Sequence, residues 1–171
     1  KIEAEKNTNM ARAGKSKRNC HGGSSIAEFG PALGIILICF FFPMIDLLAM
    51  GVSYGLCMVL NHNQAHEAAL LPNADATNAG GIVKKGIPDQ WLDGMGRFVK
   101  LSGYPSTNVS YRNGVADASN NQDKFVTVST TLTCNPFLPI PVPVLNVPGL
   151  NGPMTFTVTS ECQLENPDYA P

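Results

Sequence analysis

The longest apolar stretch of the chain lies near its N-terminus. Of the 35 residues from Ile26 to Leu60 only two are charged, and the middle of the stretch reads FGPALGIILICFFFPMI without a charge. Because about 20 mostly apolar helical residues cross the hydrocarbon core of a bilayer, this pattern predicts a transmembrane helix over residues 24–60. A buried core helix is the soluble alternative, which a run of this length and apolarity disfavours.

Later in the chain, apolar and polar residues alternate in three segments: STNVSYRNG, KFVTVSTTLTC and MTFTVTSEC. This period of two is typical of half-buried antiparallel strands, and Asn113-Gly114 predicts a turn after the first of them. The predicted inward positions are Val126, Val128, Leu132, Met154, Phe156 and Val158. We therefore expect an α+β fold, in which the long N-terminal transmembrane helix continues into a small exported domain, residues 61–171, with a second helix and a short antiparallel sheet.

Proline positions predict where the long helix ends and where the second helix begins. The long helix is expected to run on through NHNQAHEAALL to Leu71, since the residue before Pro72 is restricted to extended backbone. The second helix is expected to begin at Pro88. A single apolar stripe at helical spacing predicts core packing for it, and its residues are Trp91, Leu92, Met95, Phe98 and Val99.

A proline-rich segment, CNPFLPIPVPVLNVPGLNGP, separates the second and third predicted strands. Proline lacks the amide hydrogen that a sheet ladder needs, so we expect an extended segment outside the sheet. It either wraps the domain or offers a docking ribbon to another subunit.

Charge is distributed as unevenly as hydrophobicity. Residues 1–23 contain six Lys and Arg against two acids, whereas the remainder contains six against eleven. A basic flank before the apolar run predicts a cytoplasmic N-terminus and an external C-terminal domain. A removed secretory signal is the rival interpretation, but its apolar region is usually only about 7–15 residues long.

A carboxylate stands at the start of the apolar run, in GSSIAEF. Charged groups inside a membrane span are costly and point to function. If the chain were cut after Gly23, Ser24 would carry a new α-amine and Glu28 would be the fifth residue of the product. Amine and carboxylate could then neutralise each other, within one chain or between neighbours. A solvated Glu28 at the level of the lipid headgroups is the alternative.

This arrangement resembles the prepilin-peptidase site of type IV pilin-like proteins: a basic leader, Gly, four residues, Glu-Phe and a long apolar helix. Within that class the chain resembles the TadE-like pseudopilins of the tight-adherence (Tad/Flp) pilus system. The resemblance covers residues 18–60 and rests on GSSIAEFGPALGIILICFFFPMIDLL. The family's usual proline lies further beyond Glu-Phe than Pro31 does, so neither Pro31 nor Pro43 is equated with it.

The resemblance implies a minor pilin or pseudopilin, anchored in the bacterial inner membrane, that acts in assembly of an adhesion pilus. It implies a basic leader, residues 1–23, removed by prepilin peptidase between Gly23 and Ser24, with Glu28 and Phe29 in assembly and axial register. The implied partners are the peptidase, other pilus subunits, assembly-platform proteins and the lipid bilayer. The alternatives are another type IV pilin-like subunit and an unprocessed, membrane-anchored extracytoplasmic binding module.

Two further residues interrupt the apolar run. Pro43 removes the backbone hydrogen bond to the carbonyl of Cys39 and predicts a kink. Asp46 lies about 25 Å along the helix from Phe29, close to the far membrane interface. Pairing of Asp46 in the interior competes with simple exposure at that interface, and its position favours exposure.

The two exported cysteines beyond the span, Cys134 and Cys162, are not expected to form a bridge. In a hairpin with Cys134 opposite Met154, Cys162 lies opposite Val126, eight residues or about 27 Å away. Disulfides require Cα atoms within about 7 Å. We therefore expect free thiols at both positions.

No motif in the chain predicts an enzyme or a cofactor. His62 and His66 stand four residues apart, but no further metal ligands accompany them, so we expect solvent-exposed histidines and no metal. The net charge of −1 also argues against binding to nucleic acid.

Overall fold

A computed structural model describes residues 24–116, 122–139 and 146–170. Its elements are helices α1, α2, α3 and α4 and strands β1, β2 and β3, with short π-helical and 3-10 turns between them. Their bounds in the same order are Ser24–Ile36, Phe42–Leu70, Asn73–Thr77, Ile87–Asp93, Ser106–Ala116, Gln122–Cys134 and Met154–Gln163. The predicted α+β fold, with a long N-terminal helix, a second helix and an antiparallel sheet, is confirmed.

Helices α1 and α2 are consecutive, joined by a π-helical turn over Leu37–Phe41. In that turn the amide of Phe42 donates to the carbonyl of Leu37, one residue further back than in an α-helix. The turn directly precedes Pro43, which has no amide hydrogen to donate. The kink predicted at Pro43 stays a prediction. At its other end α2 stops at Leu70, and Leu71 is extended before Pro72, as the predicted restriction requires.

The three strands form one antiparallel sheet in the order β1-β2-β3. Cys134 pairs with Met154 and Val126 with Cys162, which is the predicted register, and both cysteines are free. The turn predicted at Asn113-Gly114 is wrong, because β1 continues to Ala116 with a shift of register after Asn113. Instead of turning at Gly114, the chain packs against β2 there. A Cβ at Gly114 would come within 2.9 Å of the Phe125 ring.

The core lies between one face of the sheet and helix α2. Alternate residues of β2 from Val126 to Cys134 are buried, as predicted. On β3, Met154, Phe156 and Val158 are more buried than the threonines between them. Small side chains let the helix approach the sheet closely, and those facing it from the helix include Ala65, Ala68 and Ala69.

Polar side chains also lie in this interface. Asn61 Nδ2 donates to the carbonyl of Val128 at 2.9 Å and to Thr130 Oγ1 at 3.0 Å. Thr130 Oγ1 donates to Gln64 Oε1 at 2.7 Å, and Gln64 Nε2 donates to the carbonyl of Val83 at 2.6 Å. Because buried polar groups are costly unless paired, this network favours one alignment of the helix on the sheet.

The predicted apolar stripe of the second helix is only partly correct. Trp91 and Val99 are buried, but Met95 is 46% and Phe98 81% exposed. The α-helix ends at Asp93, and a 3-10 turn follows over Met95–Phe98. A 3-10 turn has about three residues per turn rather than 3.6, so the helical spacing that placed Phe98 on the inner face no longer applies.

Candidate processing and assembly site

The predicted processing site lies where the described part of the chain begins. Gly23 falls outside the described residues, and Ser24 is the first residue of α1. Position 28 follows one helical turn later, so positions 24 and 28 share a face of the helix and lie about 6 Å apart along its axis. Phe29, the next residue, is 64% exposed. The backbone therefore brings the two predicted positions onto one face.

From Phe29 onward the long helix presents apolar side chains to its surroundings. Its most apolar 18-residue window has a mean hydropathy of 2.5, and only 11% of that window is buried by the rest of the protein. This exposure argues against a core helix. In the described part of the chain it is the one helix long and apolar enough to cross a membrane, which is compatible with a single-pass membrane protein. Its exposed large side chains before residue 50 are Phe29, Leu33, Ile35, Ile36, Ile38, Phe40, Phe41, Met44, Leu47 and Leu48.

Four glycines of the long helix border open space. They form two pairs at a spacing of four, Gly30 with Gly34 and Gly51 with Gly55. A Cβ added at any of them would meet no atom within 4 Å apart from its chain neighbours and the adjacent backbone of its own helix. Such pairs allow a neighbouring helix to approach closely in lipid. Contacts within the chain therefore leave room for a second helix at both pairs.

Asp46 is buried, so the exposure at the membrane interface that its sequence position favoured is wrong. It is 0% exposed, and its Oδ1 accepts a hydrogen bond from the backbone amide of Leu138 at 2.8 Å. Its Oδ2 is buried without a hydrogen-bond partner. The sequence carried one signal for such a role, an isolated acid in an apolar run, but the partner 92 residues later could not be read from it.

The described ends of the proline-rich segment pack on the chain itself. The amide of Asn135 donates to the carbonyl of Lys100 at 2.7 Å, and Leu138 is bonded to Asp46. After the undescribed residues 140–145, a turn brings Gly149 next to Met50 and Met154. Of the two predicted roles, these contacts match the wrapping one. Phe137 nevertheless stays 61% exposed.

The outer face of the sheet is covered by hydroxyl groups. Three cross-strand pairs link their side-chain oxygens at 2.9 to 3.0 Å: Ser129 with Thr159, Thr131 with Thr157, and Thr133 with Thr155. At one end of this face the Arg112 guanidinium lies 4.6 Å from the centre of the Phe125 ring and forms an ion pair with Glu161. These contacts tie all three strands together on the exposed side.

Burial is the main cause of a raised pKa at three described groups of the domain, Tyr104, Tyr111 and Cys134. Burial and the hydrogen bond to Asp89 raise the pKa of Tyr104 to about 12, and its hydroxyl donates to Asp89 Oδ1 at 2.8 Å. Burial raises the pKa of the Cys134 thiol, and a hydrogen bond with Ser53 opposes that rise. Cys134 belongs to the buried core, whereas Tyr104 is 52% exposed.

Histidines and other metal-ligating residues do not converge in the described structure. His62 and His66 are exposed on α2, as predicted. Within residues 24–116, 122–139 and 146–170, no three His, Cys, Asp or Glu side chains lie close enough together to hold a metal ion. His62 instead borders an open groove between α2 and β3, lined by Met58, Val59 and Val158 among others.

No family model matches the chain, and no match to it is found among the curated proteins or the solved structures. The resemblance to TadE-like pseudopilins therefore rests on the sequence motif of residues 18–60.

Proposed function

We propose that the protein is a minor pilin or pseudopilin that acts in assembly of a Tad-type adhesion pilus. It is anchored in the bacterial inner membrane by the apolar helix of residues 24–60, whose last part, from Met50, also packs against the exported domain. Its N-terminus is in the cytoplasm and residues 61–171 are outside. The observation that carries the proposal is a long helix, formed by α1 and α2, whose described part includes positions 24 and 28, exposes an apolar surface, and then packs against a small sheet.

Processing is the first step of the proposed function. Prepilin peptidase cleaves the peptide bond between Gly23 and Ser24, which removes the basic leader and leaves an α-amine at the first residue of α1. Positions 24 and 28 share one face of that helix. The Glu28 carboxylate can therefore neutralise the amine of its own chain or of a neighbouring subunit, and the pairing between neighbours sets the axial register of the assembly.

Assembly then proceeds through the exposed helix. Its two glycine pairs border open space, and its large apolar side chains are uncovered by the protomer. In lipid these features suit close packing of helices from neighbouring subunits. The C-terminal domain presents its sheet to partner subunits, and the chain needs no enzymatic activity of its own.

N-terminal sequencing of the protein purified from its native membrane tests the proposal. We expect the sequence to begin at Ser24. A matched variant, Gly23→Leu, should remain uncleaved if the glycine is part of the peptidase site. An intact basic leader on the native protein would rule out the pilin-like function and favour the unprocessed, anchored binding module.

A further inference from the structure

We propose that the segment Asn135–Pro139, here called the proline ribbon, lies in the outer interface of the bilayer, so that the C-terminal domain rests on the lipid surface. This rests on the membrane anchoring in the proposed function, and it is independent of the pilus role. The partner is the phospholipid bilayer itself.

The first argument is depth along the helix. An α-helix rises about 1.5 Å per residue and the hydrocarbon core of a bilayer is about 30 Å thick. If the core begins at Phe29, the first residue after the charged position 28, Asp46 lies about 25 Å further along and Leu48 close to the outer boundary. The ribbon is bonded to Asp46 through the amide of Leu138 at 2.8 Å. The ribbon therefore lies at the depth of the outer interface.

The second argument is the chemistry of the ribbon backbone. An amide without a partner is costly in hydrocarbon because nothing there replaces its hydrogen bond to water, so a segment at this depth must have few free N–H groups. Pro136 and Pro139 have none. Asn135 donates to the carbonyl of Lys100 and Leu138 donates to Asp46, which leaves the Phe137 amide for headgroups or water.

The third argument is the side chains that the ribbon presents. Phe137 is 61% and Leu138 37% exposed although both are large and apolar. Exposed aromatic and aliphatic side chains beside a membrane span are stabilised in the headgroup and upper acyl region.

Fluorescence quenching by lipid tests the inference on the full chain. Phe137→Trp, Ile38→Trp and Tyr169→Trp are each reconstituted in phosphatidylcholine vesicles with and without brominated acyl chains. The constant signal of Trp91, the only native tryptophan, is subtracted with the unsubstituted protein. Ile38 is 54% exposed on the apolar helix. Tyr169 lies near Glu165, whose amide bonds to Ala69 at the far end of α2, and so reports on the part of the domain remote from lipid.

We expect quenching at Phe137→Trp comparable to that at Ile38→Trp and several-fold greater than at Tyr169→Trp. Quenching at Ile38→Trp without quenching at Phe137→Trp would overturn the inference and leave the anchor intact. No quenching at either position would overturn the anchor and the inference together. Blue-shifted emission at Phe137→Trp that brominated lipid does not quench, and that grows with protein-to-lipid ratio, would assign the ribbon to a second copy of the chain and overturn the inference.

Discussion

The side-chain amide of Asn61 donates to the backbone carbonyl of Val128 at 2.9 Å, and this bond joins the long helix to the central strand of the sheet. The two residues are 67 positions apart in the chain. Because the bond is buried, it fixes where along the helix the sheet can sit.

Removing this amide should destabilise the domain. Asn61→Ala leaves the Thr130 hydroxyl with one partner fewer, and a lost buried hydrogen bond of this kind costs about 1–3 kcal/mol. Asn63→Ala, on the exposed side of the same turn, should change the free energy of unfolding by less than about 0.5 kcal/mol. Urea titration in detergent, followed by Trp91 fluorescence, measures both. Equal effects of the two variants would contradict the assigned role.

A second prediction concerns the packing of Gly96 under Trp91. A Cβ at Gly96 would lie 2.7 Å from the Trp91 ring, so Gly96→Ala must displace the ring and should cost about 1–3 kcal/mol. Gly80→Ala is the control, since its Cβ would meet only Asn78 Oδ1 at 3.8 Å. The same urea titration applies, and an unchanged midpoint for Gly96→Ala would show that the ring is not held there.

The cysteines should differ in reactivity. Burial raises the pKa of the Cys134 thiol, and Cys134 is fully buried while Cys162 is partly exposed. Because the thiolate is the reactive form, iodoacetamide at pH 8 should modify Cys162 faster than Cys134 in the folded protein. Mass spectrometry of peptides measures the modified fraction at each position. A Cys134–Cys162 disulfide in protein prepared without reductant would refute the sheet register.

The stability of the domain should fall at strongly alkaline pH through Tyr104. Its folded pKa is about 12, above the ordinary value of 10.0, through burial and the hydrogen bond to Asp89. The folded state therefore holds this proton more tightly than the unfolded state. The stabilisation is complete below pH 10 and is lost as the pH rises through 12. Absorbance titration of phenolate should show late-ionising groups, of which Tyr104→Phe removes one, while Tyr111, whose pKa is also raised by burial, remains. An unchanged titration curve in that variant would contradict the assignment.

The last prediction follows from the proposed register role of Glu28. Glu28→Ala should still be cleaved after Gly23 but should impair pilus assembly, because the new α-amine loses its counter-charge. Glu67→Ala removes a carboxylate from the far part of the long helix and should leave assembly unchanged. N-terminal sequencing and pilus counts by electron microscopy separate the two steps. Normal piliation in Glu28→Ala would refute the register role.

Several structural expectations rested on local pattern and proved correct. Val126 and Val128 are buried as the alternation predicted, and Cys134 pairs with Met154 in the predicted register. Strand alternation and helix continuation depend on neighbouring residues and backbone geometry, which a sequence displays directly. The pattern failed at Phe98, where the α-helix gives way to a 3-10 turn.

The sequence by itself determined the long apolar helix and the strands, because these follow from periodicity and from the backbone limits of proline. Only the tertiary structure decided that Asp46 is buried against Leu138 and that Asn61 bonds to Val128. Both bonds join residues more than 60 positions apart. A polar residue in an apolar stretch indicates that a partner is needed, but the fold alone determines which distant backbone group comes within hydrogen-bonding distance.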